Sequence, residues 1–270
     1  MPYLAVLGAR FRMMLQYRAA AFAGFVTQLF WGAIKIMVLA AFFALAPDAS
    51  TMTLAQAVTY VWLGQALLAL QPWNVDAEIA GAIRTGGVSY ELLRPLDLYA
   101  MWFARTLAFR AAGTGLRMLP MFVFAMVLLP LAGLEDFALR PPGSPGALAA
   151  FLVSATLTVL LSAAVTMCMH VILVVTISGE GINRLVPGLV SVFSGLTVPL
   201  PLFPDLVQPF LYWQPFRGLA DTPFRLWNGH IPLEDLPAEL ALQAFWVLVF
   251  VVAGRTMLTG AVRRMVVQGG

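Results

Sequence analysis

"ALAAFLVSATLTVLLSAAVTMCMHVILVVTI", residues Ala147 to Ile177, contains no Asp, Glu, Lys or Arg. A helix rises about 1.5 Å per residue, so about 20 apolar residues cross a bilayer core of about 30 Å. This run is longer than that. The whole chain shares its character: of 270 residues, 61% are apolar and 11% charged, with a mean hydropathy of +0.86. A water-soluble domain carries about 25% charged residues to cover its surface. The solvent of this chain is therefore largely lipid. The net charge of +3 and pI near 9.4 are weak evidence for a nucleic-acid partner, and none is expected. In a membrane protein the position of each Arg matters more than the sum.

Working outward, further apolar stretches cover residues 19–45, 53–71, 107–132, 185–203 and 236–258. The stretch 185–203 is interrupted by Pro187, Gly188, Gly195, Pro199 and Pro201, which weaken a helix. Between 132 and 147, "RPPGSPG" (Arg140 to Gly146) reads as a loop. The sequence Ala44-x-Ala46 has the form of a signal-cleavage site, but the apolar run before it exceeds the roughly 7–15 residues of a signal peptide. It reads as a retained span. The expected fold is an all-α membrane protein, one transmembrane domain over residues 1–270 with six transmembrane helices and both termini on one side. Twelve arginines, from Arg10, Arg12 and Arg18 to Arg263 and Arg264, fall on the side of the termini. The other side holds Arg140, Arg217 and Arg225 with eight acids, among them Asp48, Asp221 and Glu239. That bias orients the termini to the cytoplasm. Residues 1–18 place Leu4, Leu7, Phe11, Met14 and Leu15 on one stripe with Arg12 and Gln16 opposite, the pattern of an interfacial amphipathic helix.

Several chemistries drop out. Cys168 is the only cysteine, which forbids an intrachain disulfide and a Cys-based zinc site. His170 and His230 are far apart and lack metal-ligand spacing, so no metal is expected. Lys35, inside "GAIKIMVL", is the only lysine, so no G-x-x-x-x-G-K-[ST] phosphate loop exists. Any energy from ATP bound in that manner comes from another polypeptide.

Between the second and third stretches the chain turns polar: "NVDAEIAGAIRTGGVSYELLRPLDLY", Asn74 to Tyr99. Asp76 to Thr85 has acids at its start and Arg84 at its end, as a helix dipole favours. Gly86-Gly87 breaks it, Ser89 is placed to cap a second short helix, and Pro95 ends that helix before Asp97 caps the next. Ile79, Ile83, Leu92 and Leu93 form a candidate apolar face. From these residues alone, a hairpin over 74–97 that docks a protein and one that rests on headgroups fit equally well.

The segments Glu78-Ile79-Ala80-Gly81 and Glu91-Leu92-Leu93-Arg94-Pro95, with the amphipathic opening helix and the Pro-rich "VPLPLFPDL" (Val198 to Leu206), resemble the membrane subunit of ABC-2 type transporters. The likeness is to the short six-span bacterial permeases and covers essentially the whole chain. It implies that the hairpin is a coupling helix for a separate ATP-binding ABC subunit, with Glu78, Ile79, Gly81, Ile83, Arg84, Glu91, Leu92, Leu93, Arg94 and Pro95 in contact. It further implies two ATPase copies that hold ATP and Mg, no cofactor in this chain, and no enzymatic activity of its own. A second permease subunit, the same chain or a related one, and a bacterial inner membrane complete the implied setting. Substrate then moves outward; drug-like amphiphiles, lipid-linked compounds and glycans all suit such a permease.

Other residues leave alternatives open. Lys35 lies deep in the first span, either on a translocation path or subunit interface, or snorkelling outward. Glu180 and Arg184 have the spacing of a cytoplasmic helical ion pair. His170 fits a hydrogen bond within the bundle or a proton relay. Arg110 and Arg117 share a face and suit snorkelling anchors. The outer segment, 204–235, is rich in Pro and aromatics and fits short helices dipping into the outer leaflet or an interfacial loop. Two rival functions remain. A self-powered secondary transporter normally shows internal repeats and several intramembrane acids, and neither is evident. An intramembrane enzyme needs a nucleophile and base, and only His170 is available as the base for Ser154, Ser162, Ser191 or Ser194.

Overall fold

The computed structural model describes residues 2–16, 18–45, 51–176 and 180–263; helices joined by turns and loops make up this part, with no strand among the described residues. Asp48, Ile177 and Arg264 lie outside the described residues, as does the side chain of Glu180. Among the described residues, four helices are long and apolar enough to cross a membrane: Ala21–Leu45 within α2 (Arg18–Leu45), Leu98–Leu131, α8 (Pro145–Thr176) and α12 (Leu236–Arg263). The Leu98–Leu131 helix consists of α6 (Leu98–Val123), a π-helical turn at Phe124–Leu128 and α7 (Leu129–Leu131).

The stretches at 53–71 and 185–203 take a different form. α3 (Leu54–Ala66) has 13 residues and gives way to a 3-10 turn at Leu68–Leu70. α9 (Glu180–Phe193) has 14 residues. Helices of these lengths reach about 20 Å, short of a bilayer core. α3 is instead the buried centre of the bundle. A Thr53–Gln56 capping box starts it, and every residue from Ala57 to Ala66 is buried. It packs against α2, α6 and α11 (Asp221–Trp227). α9 stops where Gly195 adopts φ +88°, the left-handed region, and a Cβ there would collide with the Tyr60 hydroxyl.

α6 begins at Leu98, earlier than the expected 107. Asp97 caps it by accepting the Ala100 N–H at 2.8 Å. Its first turns, with Trp102 and Arg105, extend the span towards the hairpin. At 34 residues the Leu98–Leu131 helix is about 51 Å long, well beyond a bilayer core. The π turn leaves the Ala125 carbonyl free, and the Leu139 N–H fills it at 2.9 Å. The following loop folds back over α3, with Trp62 Nε1 donating to Phe137 O and Trp227 Nε1 to Arg140 O. α8 packs against α12, α11 and α6, while α1 (Pro2–Met14) lies along α6. α2 and α12 leave most of their apolar surface uncovered, including Phe22, Phe30, Trp31, Met37, Phe245 and Leu248.

Candidate functional site

The hairpin consists of α4 (Ala77–Arg84) and α5 (Val88–Leu92). Asp76 caps α4, its carboxylate accepting the N–H of Glu78 at 2.8 Å and of Ile79 at 3.4 Å. Gly86, at φ +74°, makes the reversal. Ser89 does not cap α5. It lies inside that helix and donates its hydroxyl to Gly86 O at 2.8 Å, because α5 already begins at Val88.

Two arginines from elsewhere hold the hairpin by its acids. Arg10 of α1 pairs with Asp76 at 3.0 Å and with Glu78. Arg105 of α6 pairs with Glu78 and Glu91, each at 3.0 Å. Trp102 Nε1 donates to the second Glu91 oxygen at 2.6 Å. The Asp76 N–H donates to His170 Nε2 of α8 at 2.9 Å, and the Asp97 N–H to the Tyr3 hydroxyl at 3.0 Å. Burial alone would weaken the Arg10 charge, but its hydrogen bond to Glu78 and the fields of Asp76 and Glu78 outweigh that, raising its pKa above the ordinary value.

The residues read as one apolar face separate into two sets. Ile79 and Ile83 are buried among Val88, Trp102, Met167 and Leu173, on the inward face of α4. Leu92 and Leu93 are 41% and 82% exposed, beside exposed Tyr90, Arg94 and Pro95. Glu78 and Glu91 are engaged in the ion pairs just described. Arg84 is exposed, and Gly81 has open space where a Cβ would point. The accessible apolar surface is therefore the tip formed by Tyr90 and Leu92 to Pro95, with Arg84 and the reversal at Thr85 and Gly86 exposed beside it. Of the other expected residues, His170 joins the hairpin and Lys35 does not. Lys35 donates to Leu196 O at 2.7 Å on the wall of a separate cavity of about 240 Å³ lined by Trp31, Tyr60 and Gln65. Arg184 is exposed on α9.

Arg110 departs from its expected role as a snorkelling anchor. It is 2% exposed and donates to Asn74 O at 2.6 Å and Thr166 Oγ1 at 3.1 Å, because α8 and the chain entering the hairpin close over it. Thr166 belongs to a stripe on α8 that sequence reasoning missed: Ser154, Thr158, Ser162, Thr166 and His170, all buried and four apart. That spacing was the available signal. Ser162 bonds to Leu70 O, and Thr158 to Gly218 O at 2.9 Å. Gln243 of α12 bonds to Ser154, Thr158 and Gly218. A polar seam thus follows α8 from the hairpin to the far side of the bundle.

At that far side lies an ion cluster also missed, its members having been counted only as loop charges. Arg217 pairs with Asp221 at 3.2 Å and with Glu239 at 2.8 Å, and its guanidinium lies 4.6 Å from the centre of the Tyr212 ring. Arg225 and the Tyr60 hydroxyl also bond to Asp221. Arg225 Nε donates in turn to His230 Nδ1 at 3.0 Å, and His230 Nε2 lies 3.2 Å from Thr51 O. Partial burial, and then the Arg225 charge, lower the His230 pKa. The folded protein binds this proton less readily than the unfolded chain. Its stability contribution is full above the unfolded value of about 6.5 and declines as pH falls through it towards the folded one. Acidification from about pH 7 to pH 5 is expected to lower the thermal unfolding midpoint. His230→Gln should flatten that dependence, and an equally steep profile in the variant would place the sensitive group elsewhere.

The architecture is thus a lipid-embedded helical bundle with a braced polar hairpin at one end and a charged cluster at the other. Neither a curated protein nor a solved structure matches the chain. A family model described as "ABC-2 family transporter protein" matches residues 29–269, nearly the whole bundle. The chain belongs to the ABC-2 transporter family and is a membrane component of transport.

Proposed function

We propose that this chain is the permease subunit of an ATP-driven exporter, powered by a separate ATP-binding subunit that docks on the hairpin tip. The observation that carries this reading is the tip itself. Leu92 and Leu93 stand exposed beside Arg94 and Pro95, on two helices held by four ion pairs to α1 and α6. Exposed leucines on a rigid mount suit a partner's groove, and the mount passes force to the spans without folding under it. The absence of a phosphate loop agrees, since ATP and Mg then belong to the partner. The full assembly is two permease chains with two ATPases in a bacterial inner membrane, termini cytoplasmic, moving a hydrophobic or amphipathic substrate outward. The cavity beside Lys35 is the candidate path or subunit interface.

The test is co-purification with the candidate ATPase after co-expression. Leu92→Ala, Leu93→Ala and Arg94→Ala combined should reduce recovered ATPase at least about tenfold, the scale of losing a small hot spot. The ion-paired acids are untouched, so thermal unfolding should match wild type. Undiminished ATPase recovery would remove the tip from the interface. Transport by the chain alone in ATPase-free vesicles would favour a self-powered transporter instead.

A further inference from the structure

We infer that the cavity between α1, α2 and α6 binds the anionic head of a membrane amphiphile, with Arg110 and Arg117 as its receptors. The cavity measures about 540 Å³ and is walled by Met14, Trp73, Phe109 and Leu116 around these two arginines, with no carboxylate in its lining. Arg110 already gives Nη protons to Asn74 and Thr166, yet its Nε–H is buried without a partner. The Nε–H of Arg117 is likewise buried and unpaired, and among the described residues Arg117 makes no ion pair. Asp76 acts on Arg110 through space, but among the described residues neither guanidinium has a carboxylate within ion-pair distance, and with unused donors the arrangement is incomplete, because buried charges are otherwise paired. A phosphate or carboxylate completes it with charge-assisted hydrogen bonds.

The depth fits a headgroup. The Leu98–Leu131 helix has about 14 residues more than the roughly 20 that a bilayer core requires. The excess lies at its hairpin end, since the far end stops at Leu131 before Gly133. Arg110 then sits at the hairpin-side boundary of the hydrocarbon, with Arg117 about two turns deeper. Met14, from α1 lying along α6, lines the cavity at the same end. The apolar and aromatic walls suit an acyl chain below the head, which a free anion does not need. A resident phospholipid and an amphiphile in transit share this chemistry. The binding claim stands apart from ATPase coupling.

Native mass spectrometry of the detergent-solubilised chain, titrated with phosphatidylglycerol or phosphatidylcholine, tests the inference. One phosphatidylglycerol should be retained per chain at least about tenfold more tightly than phosphatidylcholine, the scale of a charge-assisted contact. Arg117→Gln should remove that preference and Arg117→Lys should keep part of it. Gly113→Leu provides a second approach that leaves both charges. Gly113 lines the cavity, and its Cβ would meet only Ala69 at 3.9 Å, so the larger side chain fills the void. It should weaken both lipids. Equal retention of the two lipids by wild type, or unchanged phosphatidylglycerol binding in both Arg117→Gln and Gly113→Leu, overturns the site. With the ATPase and ATP added, a retained adduct identifies a resident lipid and a depleted one identifies cargo.

Discussion

Asp76→Ala is expected to loosen the hairpin while the four long helices stay inserted. The carboxylate is buried, caps α4 through two backbone N–H groups and neutralises Arg10. Losing a cap costs about 0.5–2 kcal/mol. Removing one partner of a buried ion pair costs about 3–5 kcal/mol, here nearer the lower figure because Arg10 keeps Glu78. Trypsin reads the result directly, since Arg84, followed by Thr85, is exposed on the hairpin. Cleavage there should accelerate at least tenfold with insertion unchanged. Adding Arg10→Met should recover part of the loss, because the buried guanidinium left with Glu78 as its one carboxylate partner is then removed. Wild-type cleavage rates in Asp76→Ala would show that the braces contribute little and that the hairpin stands by its apolar contacts alone.

Arg217→Ala is expected to be the most damaging single change on the opposite side. Arg217 is 3% exposed and holds Asp221 and Glu239 together, joining the 3-10 turn at Pro215–Leu219 to the start of α12. Burial works against its charge, but the two carboxylates raise its pKa above the ordinary value. Without it Glu239 is a buried carboxylate with no partner, at a cost of about 3–5 kcal/mol. Asp221 is less affected because Arg225 and Tyr60 remain. The thermal midpoint should fall by several degrees, and Arg217→Met with Glu239→Gln should regain much of it by removing both charges. A double variant no better than Arg217→Ala would mean that cation–π packing on Tyr212, rather than the ion pairs, is what Arg217 supplies.

What was legible from sequence depended on whether the signal was local. Long apolar runs located α2, α8 and α12 because spanning length is a property of the run itself. Asp76, Gly86-Gly87, Pro95 and Asp97 marked the hairpin boundaries because caps and breakers act on their own backbone. At residues 53–71 length and apolarity gave no sign that α3 is covered by protein rather than by lipid. The two settings select the same side chains. Partners distant in sequence were invisible: Arg10 read as one more positive charge, and Arg110 as an anchor. Nothing adjacent in the chain distinguished the inward Ile79 and Ile83 from the outward Leu92 and Leu93.

The stripe on α8 has a consequence for assembly. Thr166 donates to the carbonyl one turn back at 2.8 Å, and Thr158 shares its one proton between the carbonyl one turn back at 3.1 Å and Gly218 O at 2.9 Å. In lipid such a back-bond satisfies a hydroxyl within its own helix. The oxygens retain acceptor capacity, which Arg110 uses at Thr166 and Gln243 at Thr158. α8 is thus equipped to enter the membrane alone as an apolar rod and to become a polar scaffold only when its neighbours arrive. Such a helix suits insertion first and recognition between helices second, so a defect in the seam is expected to leave a chain that is delivered to the bilayer but never matures.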